Sequence, residues 1–340
     1  MSTELAPTVA SESRSTRRRL REPRTTTMVQ RYALVFAWIA MTAFFAFLHP
    51  GEYFTVAHVS AMLSTQSVLL ILSLSALAPL LAGDLDLSIA SNMALAEVLF
   101  ANLNVNHGWS VPGAILAALG VSLLVGIFNS AVIVGLGIDS IVVTLGMSTL
   151  LAGMALSMGA TPILGVSGSM VDLLRFRFFY LQIAFWIALA LGLVLWFLYT
   201  QTRFGRHLLF VGASRNAAKL AGIRVELVRS VAFISSALLS GVAGTMLAGL
   251  FASADANTAP SMLLPALAAV FLGATAFIPG RFNVPGTFVA VYFLVFGISG
   301  LELSGLSGWV SQAFYGGSLV VAVILSNLGG RLTRLRRVSA

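Results

Sequence analysis

Ten apolar stretches of 17 to 25 residues follow one another along the chain, at roughly 32–48, 59–82, 87–103, 111–135, 138–160, 178–199, 228–251, 261–279, 283–300 and 305–327. A helix needs about 20 mostly apolar residues to cross a hydrocarbon core of roughly 30 Å. The pattern therefore predicts an all-α polytopic membrane protein with about ten transmembrane helices. The count falls to eight if the stretches near 87–103 and 283–300 re-enter from one side. A soluble alternative is excluded by composition: 58% of the 340 residues are hydrophobic and 9% charged, and a soluble domain carries about a quarter charged residues.

The basic residues give the orientation. Arg14, Arg17, Arg18, Arg19, Arg21, Arg24 and Arg31 precede the first apolar stretch, and Arg331, Arg334, Arg336 and Arg337 close the chain. Six more lie between Arg203 and Arg229, and Arg281 stands between two later stretches. With both termini cytoplasmic, all of these fall inside, leaving only Arg175 and Arg177 outside; Lys and Arg asymmetry of this kind sets topology. The net charge of +8 is thus explained by orientation, with no need for nucleic acid. The expected organisation is a disordered basic tail over 1–30, a membrane domain over 31–328 with a long cytoplasmic loop at 202–229, and a basic tail over 329–340. Arg17 and Arg18 are not read as a twin-arginine export signal, because polar residues continue to Arg31. The setting is a cell membrane, plasma or inner.

Several chemistries are excluded. There is no cysteine, and His49, His58, His107 and His207 are scattered without ligand spacing, so neither a thiolate nor a histidine metal site is expected. Lys219 is the sole lysine and stands outside any Gly-rich phosphate loop. ATP binding by that motif is therefore not expected on this polypeptide. A Gly-x-Ser-x-Gly element and a His-Glu-x-x-His helix are also missing, so no catalytic residue is assigned.

Small residues recur at i, i+4 spacing in two stretches: Ala114, Ala118, Ser122, Gly126 and Ser130, then Ala232, Ser236, Ser240, Gly244, Ala248 and Ala252. Lipid supplies no hydrophobic drive for helix association, so such ridges are where backbones pack closely. Ser122, Gly126, Ser240 and Gly244 are the expected contact points.

The most polar point within the apolar region is Gly83-Asp84-Leu85-Asp86-Leu87-Ser88, with Asn92 and Glu97 beyond it. A carboxylate at mid-bilayer costs about 2.5–3.5 kcal/mol on insertion scales, so two acids inside one continuous helix are disfavoured. Pro79 and Gly83 weaken the helix upstream, and a helix restarting near Ser88 leaves Asp84 and Asp86 at its positive end. Two readings stand: a broken helix lining a polar path, or a cytoplasmic turn with solvated acids. In the loop, Ser214 is an expected N-cap and Gly222 an expected C′ residue of a short helix. Its apolar face is Ala217, Leu220 and Ala221, beside Arg215 and Lys219; a helix of this kind fits a groove on another protein or the membrane surface.

Four motifs carry a resemblance. Gly83-Asp84-Leu85-Asp86-Leu87-Ser88, Val143-Thr144-Leu145-Gly146-Met147, Thr202-Arg203-Phe204-Gly205-Arg206 and Ala217-Ala218-Lys219-Leu220-Ala221-Gly222-Ile223 together resemble the permease subunits of ribose-type monosaccharide ABC importers, relatives of the branched-chain amino acid permeases. The resemblance covers roughly residues 55 to 328. It implies a dimer with a second permease copy or homologue, cytoplasmic ATPase subunits that hold ATP and Mg, and an external solute-binding protein. It also implies an ATPase coupling loop built from Arg203, Phe204, Gly205, Arg206, Arg215, Asn216, Ala217, Lys219, Leu220, Ala221 and Gly222, and a translocation path near Asp84, Asp86, Ser88, Asn92 and Thr144. The chain departs from the family pattern at Asp84, where the second Gly of Gly-Gly-Ile-Asp-Leu-Ser is usual. It departs again at Pro279 and Asn283, where the loop Phe277 to Thr287 replaces glycines.

The implied function is alternating access driven by partner ATPases, moving a monosaccharide or similar small polar solute. A reading from another class is an ion-coupled secondary transporter, with Asp84, Asp86 or Glu97 binding the ion.

Overall fold

The computed structural model describes the backbone of residues 24–306 and 308–338 and the side chains of 31–306 and 308–324. Of the tail expected over 1–30, residues 1–23 lie outside this range, as do the side chains of 24–30; the first helix already begins at Arg24. The side chains of Arg331, Arg334, Arg336 and Arg337 are outside it too, while the backbone expected as a tail continues the last helix to Val338.

In chain order the helices are α1 (Arg24–Leu48), α2 (Val56–Thr65), α3 (Ser67–Leu81), α4 (Ile89–Ala101), α5 (Val111–Ser130), α6 (Ser140–Met158), α7 (Gly168–Arg175), α8 (Ile183–Gln201), α9 (Arg203–Ala213), α10 (Arg215–Leu220), α11 (Val225–Phe251), α12 (Leu263–Gly273), α13 (Val284–Leu303) and α14 (Trp309–Val338). Each apolar stretch contains a helix. Among the described residues, the fold departs from pure α in short π- and 3-10 turns and in two antiparallel ladders of two-residue strands. β1 (Ile163–Leu164) pairs with β4 (Ser253–Ala254), and β2 (Arg177–Phe178) with β3 (Leu181–Gln182).

Among the described residues, seven helical runs are long and apolar enough to cross a membrane: the Arg31–Leu48 part of α1, α2 with α3 as one run, α5 with the π-turns that extend it to Gly135, α6, α8, α11 and α13. The stretch 283–300, a candidate re-entrant segment, is therefore of full spanning length. The stretch 87–103 is not among the seven: α4 continues through a π-turn to Asn106, but Asn92, Glu97, Asn102, Asn104 and Asn106 leave that run less apolar than the others. α12 and the described part of α14 are apolar but short.

Polar caps set where the runs begin. Ser110 accepts from the Gly113 N–H, Asp139 from the N–H groups of Ile141 and Val142, and Asn283 from that of Gly286; each satisfies a donor that the first helical turn leaves free. Asn283 also donates to the Ala276 and Arg281 carbonyls. The amide thus closes from side-chain chemistry the turn for which the family pattern uses glycine.

α11 is the central helix, packed against α3, α4 and α5. α3 and α4 are buried on nearly all sides, as expected of helices apolar all round. α5, α6 and α8 instead turn Leu116, Val142 and Phe197 outward. The small-residue row of α5 packs on α11 against Phe233, Ile234, Ala237 and Gly241, while the row of α11 itself turns Ser240 and Gly244 toward α4. A Cβ on Gly126 would lie 2.8 Å from the Ile234 Cα, and one on Gly241 would collide with Ser122. On the other side of α11, a Cβ on Gly244 would overlap the Met93 carbonyl of α4. Three backbones thereby approach around one helix.

Candidate functional site

α3 and α4 are two halves of a broken segment, and the break holds the acids. Pro79 lacks the N–H that would bond back along α3, and Gly83 turns the chain with φ +78°, a value that favours glycine. The Asp84 N–H folds back onto the Pro79 carbonyl at 2.9 Å. Asp84, Asp86, Ser88, Asn92 and Thr144 are all buried. The acids therefore do not sit in a solvated turn; the irregular backbone between α3 and α4 is enclosed by protein, the setting in which it is tolerated.

Asp86 lies in a web of hydroxyls and amides. Its Oδ1 accepts from the Ser88 N–H at 3.0 Å and the Ser88 hydroxyl at 2.6 Å, and its Oδ2 from the Ser236 hydroxyl of α11 at 3.0 Å. Asn129 of α5 donates to the Ser88 oxygen at 2.9 Å. One turn further along α4, Asn92 donates to the Ala237 carbonyl at 2.8 Å and the Ser240 oxygen at 2.7 Å. From the opposite side, α6 supplies Ser140 and Thr144, whose hydroxyl oxygens accept from the N–H groups of Leu85 and Leu87. Polar groups from α5, α6 and α11 thus converge on the seven residues of non-helical chain between α3 and α4. Such networks are favourable only when nearly complete. Among the described residues, the side-chain oxygens of Asn92 and Asn129 and the Ser122 hydroxyl find no partner.

Asp84 points elsewhere. Its carboxylate takes two parallel hydrogen bonds from Arg229 and a third, at 2.9 Å, from Arg215, whose same nitrogen reaches the Gly83 carbonyl at 3.1 Å. This cluster borders a cavity of about 590 Å³ that is also lined by Asp139 and Ser140. Cations therefore already occupy the place where a bound ion would have to sit on Asp84. Glu97 is buried farther along α4; its Oε1 accepts from the Asp255 N–H at 3.2 Å, while Oε2 has no partner among the described residues. Asp255 itself, in the turn after α11, is held below the usual carboxylate range, chiefly by the Asn257 backbone N–H.

The long loop holds two helices where the sequence pointed to one. Thr202 caps α9 at the Gly205 N–H, and Ser214 caps α10 at the Ala217 N–H. Gly222 follows α10 with φ +76°, the left-handed stop its position required. α9 buries Gly205, Leu208 and Val211 and half-buries Phe204, leaving Arg203 and Arg206 exposed. In and just after α10, Arg215, Asn216, Ala217, Lys219, Leu220, Ala221 and Gly222 are exposed, and only Ala218 turns inward. Leu220 is 92% exposed. Lys219 pairs with Glu226 at 2.7 Å on the surface.

Sequence reasoning missed Arg229 and Ser236 as partners of the acids, and Asn129 and Ser140 as partners of Ser88 and Leu85 beside them. Asn129 carried a signal, being an amide inside an apolar run; Ser236 was visible only as a small residue in a packing row.

Residues 58–323 match a family model described as the permease component of branched-chain amino acid transport systems. The chain is 29% identical over 299 residues to the autoinducer 2 import system permease protein LsrC of Salmonella typhi, covering 87% of this chain and 85% of that protein. It is 28% identical over 252 residues to LsrD of the same type of system from Photorhabdus laumondii, covering 72% and 75%. With LsrD of Escherichia coli O9:H4 it shares 30% over 265 residues, covering 76% and 78%. No solved structure gives a significant match.

Proposed function

The chain belongs to the permease-component family of branched-chain amino acid transport systems, and on that premise we propose that it is the membrane-spanning subunit of an ATP-driven importer for a monosaccharide or similar small polar solute. The relatives named for autoinducer 2 import favour a solute of that small, polar kind. The subunit pairs with a second copy or a homologous permease, and the solute arrives on an external binding protein. ATP and Mg are held by cytoplasmic partner subunits, in keeping with the missing phosphate loop. Ten crossings with both ends on the ATPase side remain the topology that the basic residues favour.

The observation that carries this reading is Leu220. A leucine 92% exposed on a capped six-residue helix, in a loop with six of the chain's basic residues, has the form of an apolar anchor for a partner's groove. Transport follows when movement of the bound ATPases displaces α10 and the two permeases rock about a central path. Purification of the tagged chain from its native membrane tests the assembly directly: an ATP-binding subunit and a solute-binding protein are expected to accompany it. Uptake that survives deletion of the ATPase gene and collapses with the ion gradient would overturn the proposal.

A further inference from the structure

The loop that carries α9 and α10 touches the α3–α4 break at two adjacent places. At the first, Gly212 lies so close to the end of α3 that a Cβ there would collide with the Leu81 carbonyl, and a Cβ on Gly83 would lie 3.5 Å from the Gly212 Cα. At the second, three residues on, Arg215 opens α10 and bonds both the Gly83 carbonyl and the Asp84 carboxylate. Arg229, from the second turn of α11, holds the same carboxylate from the other side. One buried acid thus joins three elements: the break, the loop helix and the central helix.

The two arginines are not equivalent. The Arg229 side chain is 11% exposed and bidentate, whereas that of Arg215 is 42% exposed and bonds through a single nitrogen. An ion pair with an exposed partner is weak and readily exchanged with water; removing one member of a buried pair is strongly unfavourable. Arg215 is therefore the half that can release, and Arg229 the half that holds. α10 is only six residues long, so a displacement felt at Leu220 reaches Arg215 across about 9 Å of helix.

We propose that Asp84 is a positioning residue that passes movement of α10 to the α3–α4 break, with Arg215 as its releasable partner and Arg229 as its fixed one. This rests on the importer reading above and adds to it the contact through which the loop acts on the membrane core.

The chain has no cysteine, so Leu85→Cys places a lone thiol on this subunit in the wall of the cavity beside Asp84. In the complex with its ATPases, the rate of maleimide labelling at this thiol is compared with and without ATP and vanadate. The rate is expected to differ roughly tenfold between the two states, within the usual 5–150-fold range of coupled sites, and to differ by less than about twofold once Arg215→Gln is added. Asp84→Asn is expected to do the same. Because Arg215 belongs to the loop expected to contact the ATPases, co-purification and vanadate-sensitive hydrolysis are measured on each variant complex, and Asp84→Asn, which breaks the same contact from outside that loop, carries the decision where Arg215→Gln loses its ATPases. A nucleotide response unchanged by Arg215→Gln, or missing from Leu85→Cys alone while the ATPases remain bound, overturns the inference. Failure of the ATPases to bind the unsubstituted chain overturns the importer reading instead.

Discussion

Arg229 grips Asp84 through two parallel hydrogen bonds, Nε to Oδ2 at 2.7 Å and Nη2 to Oδ1 at 2.9 Å, across 145 residues of sequence. The fork geometry matches a carboxylate on both oxygens, and both side chains are removed from water. Arg229→Gln leaves a buried acid with only its exposed partner, a loss of about 3–5 kcal/mol for a pair of this kind. Arg215→Gln takes away a half-exposed contact, at a cost below about 1 kcal/mol. Thermal unfolding of the detergent-solubilised protein checks the ranking. Equal losses for the two variants would mean that burial does not govern this cluster.

Leu220 makes the opposite case, a residue whose replacement should leave folding alone. Being almost fully exposed, it contributes nothing to the interior, and Leu220→Asp is expected to change stability by less than about 0.5 kcal/mol. If it seats in an ATPase groove, the buried carboxylate there abolishes association and uptake together. Normal uptake with the ATPase still bound would remove α10 from the interface.

Two glycines of α5 test the packing row. Gly126 faces α11 with no room for a methyl group, whereas a Cβ on Gly120 meets nothing within 4 Å. Gly126→Ala should cost about 1–3 kcal/mol through overpacking. Gly120→Ala should cost nothing and gain a few tenths of a kcal/mol from helix propensity. Melting temperatures of the two variants decide it, and a neutral Gly126→Ala would show that α5 and α11 separate freely.

The apolar elements and the short helix α10 were legible because their signals are local. Ten apolar stretches, Ser214 as a cap and Gly222 as a stop each depend on residues within a few positions of one another. The break was legible for the same reason, with Pro79, Gly83 and two acids in eight residues. What answered those acids was not. Arg215 and Arg229 lie 131 and 145 residues beyond Asp84, and in sequence they read as part of a basic inside loop, where topology alone explains them. Ser236 is 150 residues from Asp86 and resembles any small residue of a packing row. The other loop helix, α9, was missed although its signals are local too, with Thr202 as a cap and Phe204, Leu208 and Val211 at helical spacing on its inward face. Asp84 stood out as a departure from the family pattern, but its meaning depended on partners that only the folded chain brings near.

Asp86 separates an anchoring role from an ion-binding one. Its oxygens already accept three hydrogen bonds, two from Ser88 and one from Ser236, and these fix the point at which α4 restarts. An asparagine there has one accepting oxygen and a donating amide. If the oxygen keeps Ser88, the amide faces Ser236, whose hydroxyl must turn to accept. Asp86→Asn therefore loses charge-assisted bonds but strands no donor that cannot reorient, a cost of about 1–2 kcal/mol. Asp86→Ala strands the Ser88 N–H and both hydroxyls and should cost roughly 3 kcal/mol or more. Ser236→Ala removes one bond and should cost about 1 kcal/mol. If Asp86 is an anchor, uptake in the three variants falls in step with the amount of folded protein in the membrane, with Asp86→Ala lowest and Ser236→Ala highest. If it carries a transported ion, Asp86→Asn abolishes uptake while the folded amount stays high. Uptake normalised to folded protein tells these apart, and the three donors already on Asp86 lead us to expect that the normalised value for Asp86→Asn stays within about threefold of the unsubstituted chain.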